Sequence, residues 1–188
     1  MSEQKGKTTQ QRQEENHLNI VNTLDTCVTG EVRQTVIDFL EYCKENKMTF
    51  RNANPINYFN WNLHFKGNGI GTLRFRHKGG RIGQSQRYRE ENYCYITVGI
   101  DLRNPEVENF VINENLSEVV WTNVKYCEGC LSTCSPGRDM TLFGKTLNNV
   151  CGYNTDKYLQ FINPNPESLK YIKNLLEFRK ERIFAEKG

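Results

Sequence analysis

Past residue 47 the spacing of the apolar side chains switches from the period of a helix to that of a strand, and this switch constrains the fold more than any other feature of the chain. In YFNWNLHF, residues 58–65, Phe59, Trp61, Leu63 and Phe65 alternate with Tyr58, Asn60, Asn62 and His64. Such alternation is the mark of a strand with one buried face. Lys66-Gly67-Asn68-Gly69 interrupts the run, and in GTLRFRH the residues Leu73 and Phe75 resume it opposite Thr72, Arg74 and Arg76. Two alternating runs around a glycine-rich turn predict an antiparallel hairpin. A third strand is expected in YCYITVGI, residues 93–100, with Cys94, Ile96, Val98 and Ile100 toward the core and Tyr93, Tyr95 and Thr97 on the other side.

Helical spacing brackets these strands. After Gly30, the residues Val32, Val36, Phe39, Leu40 and Cys43 lie on one helical stripe, and Leu18, Ile20, Val21 and Leu24 predict a shorter helix before it. Pro105 suits the first turn of a helix reaching Val111, and Asn115 suits the cap of another reaching Val124, with Leu116, Val119, Val120 and Trp121 inward. KYLQFI reads as a further strand, and Asn165-Pro166 opens a last helix carrying Leu169, Ile172, Leu175, Leu176 and Ile183. The expected fold is therefore α+β: an antiparallel sheet of three or more strands with helices mainly on one face.

Residues 1–16 contain no apolar side chain after Met1 and are expected to be a disordered tail, leaving 17–188 as a single domain. At 188 residues, 37% of them hydrophobic, the chain suffices for one core and is short for two. No apolar run approaches the roughly 20 residues that span a bilayer, so no membrane partner is expected. The charged N-terminus lacks the apolar stretch of a secretory signal, which predicts a cytoplasmic protein. A net charge of +3 is too mild on its own to imply nucleic acid.

Seven cysteines in such a chain do not predict a disulfide framework. Four of them, Cys127, Cys130, Cys134 and Cys151, are spaced C-x2-C-x3-C-x16-C. A Cys-x2-Cys pair turns two thiolates toward one point, and a third and a distant fourth complete the tetrahedron of a closed zinc site. The segment 125–152 is accordingly expected to bind Zn as a structural site, with Lys125, Arg138 and Lys145 near enough in sequence to offset its negative charge. Three alternatives compete. An iron–sulfur cluster takes the same ligands, but the bacterial spacing has two residues in the second gap where this chain has three. A redox Cys-x2-Cys needs a thiolate stabilised at a helix N-terminus, whereas this pair follows a helix. The third is four unligated thiols.

The block running from Trp121 through CEGC, CSPGRD and FGKTLNNVC resembles a segment of small bacterial proteins of no assigned activity. The resemblance covers the last third of the chain. It implies a shared metal-binding or structural element and brings no substrate or catalytic residue with it.

Familiar catalytic patterns fail. Gly144-Lys145-Thr146 lacks the upstream glycine of a phosphate loop, since position 139 is Asp. Gly67, Gly69 and Gly71 sit at a hairpin turn and do not open a helix. With His17, His64 and His77 the only histidines, a hydrolytic triad or zinc-hydrolase motif has little to work with. Two binding surfaces remain. The non-core face of the sheet gathers Tyr58, Asn60, Asn62, His64, Arg74, Arg76, Tyr93 and Tyr95, a set suited to a small polar or anionic ligand. The stretch after the hairpin carries Arg81, Arg87 and Arg89, which suit a phosphate backbone. A non-catalytic binding module is the expectation, and a redox protein or enzyme using the cysteines is its rival.

Overall fold

A computed structural model describes residues 7–53, 59–77, 92–127, 136–151 and 158–185. Its elements in chain order are α1 (Thr9–Cys27), α2 (Gly30–Glu45), β1 (Thr49–Asn52), β2 (Asn60–Phe65), β3 (Asn68–Arg76), β4 (Tyr93–Gly99), α3 (Pro105–Asn113), α4 (Ser117–Asn123), β5 (Arg138–Leu142), β6 (Lys145–Val150), β7 (Tyr158–Ile162) and α5 (Pro166–Ala185). Strands β1-β2-β3-β4-β7 form a five-stranded sheet, antiparallel throughout, and β5-β6 form a separate hairpin. The expected α+β class with an antiparallel sheet is what the chain adopts.

The alternation read from β2 holds: Trp61, Leu63 and Phe65 are buried, and Asn60, Asn62 and His64 are half-buried on the other side. Leu73, Phe75, Cys94, Ile96, Val98, Leu159 and Phe161 join the inner face. Helices α1 and α5 pack on that face, and α2 lies against both. The hairpin from β2 to β3 closes through Lys66 and Gly67, both at positive φ, the two-residue turn whose twist matches paired strands. His64 pairs with Gly69 but Leu63 pairs with Gly71, so Ile70 is an extra residue bulged into the core. Gly71 is required there, because any Cβ would overlap the Thr97 carbonyl oxygen of β4.

Several boundaries differ from expectation. Helix α1 begins at Thr9, inside the stretch expected to be a disordered tail. Thr8 and Gln11 form a reciprocal capping box, and two side chains of this polar half reach the sheet: the Phe50 amide donates to Gln13 Oε1 at 3.0 Å and Asn16 Nδ2 donates to the Phe50 carbonyl at 2.8 Å. Asn115 does not cap α4. It takes a left-handed conformation (φ 56°) in the link from α3, and Leu116 holds the cap position. Val119 and Trp121 are half-buried, and Leu116 and Val120 are the buried pair. The segment after Pro136 is a full hairpin turning at Phe143 and Gly144, again both at positive φ.

A polar network ties α2 to α5. The Tyr42 hydroxyl donates to Glu177, whose other oxygen accepts from Lys180 Nζ at 2.7 Å, and Lys180 also donates to Asn46 Oδ1 at 2.7 Å. Burial and the Glu177 contact push the Tyr42 phenol well up. Burial alone would raise the Glu177 carboxyl, but the Lys180 and Tyr42 bonds outweigh it and hold it low. Among the described residues no helix is long and apolar enough to cross a membrane.

Candidate functional site

Every second side chain of the five-stranded sheet points away from the helices, and the register sets these outer residues in rows. Arg51, Asn62, Thr72, Thr97 and Gln160 make one row, and Asn60, Arg74, Tyr95 and Ile162 the next. Arg76 and Tyr93 follow, while His64 lies toward the other end, opposite Gly69. Arg74 Nη1 donates to the Tyr95 hydroxyl at 3.3 Å, and the Tyr95 ring stacks on Tyr93 with centroids 6.1 Å apart. Thr72 and Thr97 share a hydroxyl–hydroxyl bond of 2.7 Å.

Burial distinguishes this face from a wet sheet surface. Tyr93 and Tyr95 are only 6% and 8% exposed, and Asn60, Asn62, His64, Arg74 and Arg76 are half-buried. Asn60 Oδ1, His64 Nδ1, Arg74 Nε and Arg76 Nε are shielded from solvent with no hydrogen-bond partner among the described residues. Folded proteins satisfy most such atoms, so four on one face is unusual. The described residues of this face include no Asp or Glu, and neither Arg74 nor Arg76 forms an ion pair among the described residues. The structure therefore brings seven of the eight expected ligand residues onto one face; Tyr58 lies outside the described residues.

The cysteine segment is anchored by a short bridge. Tyr126 pairs antiparallel with Val150, the Cys127 amide donates to the Asn149 carbonyl at 2.8 Å, and the Cys151 amide donates to the Lys125 carbonyl at 2.9 Å. Residues flanking a bridged pair project to the face opposite it, so Cys127 and Cys151 share one side as diagonal neighbours. Asn149, at positive φ, also donates from Nδ2 to the Cys127 carbonyl at 3.2 Å, while Asp139 accepts from the Asn149 amide at 3.3 Å. Gly137 lies so close that a Cβ there would overlap Cys127 Cβ and Asn149 Oδ1. The two chain ends flanking the intervening cysteines thus meet beside Cys127.

Cys130 and Cys134 lie outside the described residues, as do Arg81, Arg87 and Arg89. Among the described residues no group of three His, Cys, Asp or Glu side chains is arranged to hold a metal. Lys145, expected to offset the cysteine charge, sits instead at the hairpin turn with its ammonium 4.4 Å from the Trp121 ring centroid.

One contact escapes sequence reasoning. Cys27 Sγ lies 3.3 Å from His77 Nε2, and the His77 ring packs edge-on against Phe59 at 4.8 Å. Fifty residues separate the pair in the chain, so no motif spacing signals it. Burial pushes the Cys27 thiol up, and its place at the C-terminal end of α1 disfavours a thiolate. Cys94, nearby, is pushed up to about 12 by burial and by Cys27.

No family model, curated protein or solved structure matches the chain.

Proposed function

We propose that this chain is a non-catalytic binding protein taking a small anionic ligand on the outer face of the five-stranded sheet, with a structural zinc ion in segment 125–152. The observation carrying the first part is the pair Arg74 and Arg76, half-buried guanidiniums two residues apart on a face without a described carboxylate. Partial desolvation of a charge is unfavourable unless a counter-charge accompanies it. A phosphate, sulfate or carboxylate would supply that charge through paired N–H donors, the geometry arginine favours. Asn60, opposite Arg74, and the Tyr95 hydroxyl would orient the bound group. A stacked nucleic-acid strand is the weaker occupant, because the tyrosine rings are too buried to receive a base.

Thermal-shift titration with inorganic phosphate, sulfate and small dicarboxylates tests this reading. Stabilisation by at least one anion, lost in the double variant Arg74→Gln/Arg76→Gln with its circular dichroism unchanged, supports it. No shift with any anion removes it. Salt-sensitive RNA binding lost on neutralising Arg81, Arg87 and Arg89 would transfer the function to that stretch.

The zinc reading is supported by Cys127 and Cys151 sharing one side of the bridge and by the close seating of Gly137 against Cys127. Cys127, Cys130, Cys134 and Cys151 would hold the ion, which would contribute to folding and supply no reaction step. Cys127 follows the C-terminal end of α4, the wrong end of a helix for a redox thiolate. Metal analysis should find one zinc per chain, reduced together with thermal stability in Cys151→Ser. Full zinc retention in that variant excludes Cys151, and iron in place of zinc transfers the site to a cluster.

A further inference from the structure

A second region, which includes neither Arg74 nor Arg76, has the makings of a ligand site. Where the ends of β3 and β4 meet α3 and α5, a cavity of about 370 Å³ opens, lined among others by Asp101, Asn104, Tyr158, Phe178, Arg179 and Arg182. Its size falls at the small end of the range for ligand pockets. The floor is fixed: Phe178 stacks on Phe110 with ring centroids 4.1 Å apart, and Arg182 is held by an ion pair to Glu106 with its guanidinium 5.9 Å from the Phe178 ring.

The charges at this cavity divide simply. Arg182 is answered by Glu106. Arg179 is not: it has no ion pair among the described residues, and its Nε is screened from solvent without a partner. Asp101 brings an exposed carboxylate to the same cavity, with one oxygen accepting the Arg103 amide at 3.1 Å and the other available. Asn104 uses its Oδ1 to cap α3 at the Glu106 amide, 2.9 Å away, which leaves its Nδ2 to donate. One unanswered cation, one partly engaged anion and an amide donor around a small cavity with an aromatic floor complement a molecule carrying both charges.

We infer that this cavity binds a small zwitterion of the α-amino-acid class, with its carboxylate on Arg179 and Asn104, its ammonium on Asp101 and its side chain against Phe178. The recognition is charge-assisted at both ends, so neither half of the ligand suffices alone.

Isothermal titration of the intact protein with the common free amino acids tests the assignment, alongside the amine and the acid that each leaves when its carboxylate or ammonium is removed. At least one amino acid should bind, and its two single-charge analogues should bind about tenfold more weakly or worse, since each leaves a charged group unpaired. Arg179→Gln and Asp101→Asn should each abolish the signal, and Arg179→Lys should retain part of it, which shows that a lost signal is not a lost fold. The double variant Arg74→Gln/Arg76→Gln should bind the amino acid normally, separating this cavity from the sheet face. No heat from any amino acid at about 10 mM, where even affinities weaker than millimolar register, overturns the inference. So does equal binding of the acid analogue, or an Asp101→Asn variant with unchanged affinity.

Discussion

Trp61 offers the sharpest test of the fold, because the cost of changing it can be divided into opposing parts. Its side chain is 0% exposed and packs edge-to-face on Phe75 with ring centroids 5.7 Å apart, yet its indole N–H is buried with no partner among the described residues. Trp61→Ala deletes the whole aromatic from the core and should cost about 3–5 kcal/mol. Trp61→Phe keeps the apolar contact and opens a void worth on the order of 1 kcal/mol. It also removes a buried unpaired donor whose desolvation costs about 1–3 kcal/mol. The second effect equals or exceeds the first, so Trp61→Phe should lie between the parent's stability and about 2 kcal/mol above it. Urea unfolding followed by far-ultraviolet circular dichroism reads both without interference from Trp121. A Trp61→Phe loss as large as that of Trp61→Ala would show that the N–H is satisfied and the balance wrong. A Trp61→Ala loss below about 1 kcal/mol would place this side chain on the other face of the sheet, a one-residue error in register.

Removing half-buried charges should trade function for stability: Arg74→Met is expected to raise the melting temperature without ligand and to lower the shift produced by anions, both read by calorimetry. Gly71→Ala, with no room for a Cβ beside the Thr97 carbonyl, should cost more than the few tenths of a kcal/mol of an ordinary surface change, measurable by denaturant unfolding. The raised Tyr42 phenol stabilises the fold below its unfolded value of about 10, and that contribution fades as pH rises further. Tyr42→Phe should therefore flatten the alkaline limb of a melting-temperature profile. The lowered Glu177 carboxyl acts in the opposite window, contributing above its unfolded value near ~4.3 and fading as pH falls. Lys180→Met should weaken the acid limb.

What could be read from the residues followed periodicity. The β2 and β3 alternation, the α2 stripe and the α5 pattern are long enough for one face to dominate, and each element formed where its spacing placed it. β1 was illegible because Thr49–Asn52 is too short to show a period. The first half of α1 was illegible for another reason: its polar side chains are ordered by the Phe50 backbone, dozens of residues away. The outer sheet residues were legible as a set, since a two-residue period and a hairpin bring them together. Their burial was not, because alternation assigns a face without saying what the face meets. The Arg179 cavity left no signal at all; an arginine on an amphipathic helix looks the same whether it faces water or Asp101 across a gap.

Gln13 and Asn16 occupy the free margin of β1, answering a donor and an acceptor as a neighbouring strand would. By its composition this is the part of the protein a biochemist would trim first. A chain begun at residue 17 would lose both amides and leave the outermost strand with unsatisfied hydrogen-bonding groups, a template on which a second molecule can add its own strand. The polar N-terminal turns thus act as a stopper against intermolecular β-pairing. Self-association should appear on their removal, by light scattering, with the interior of the domain unaltered.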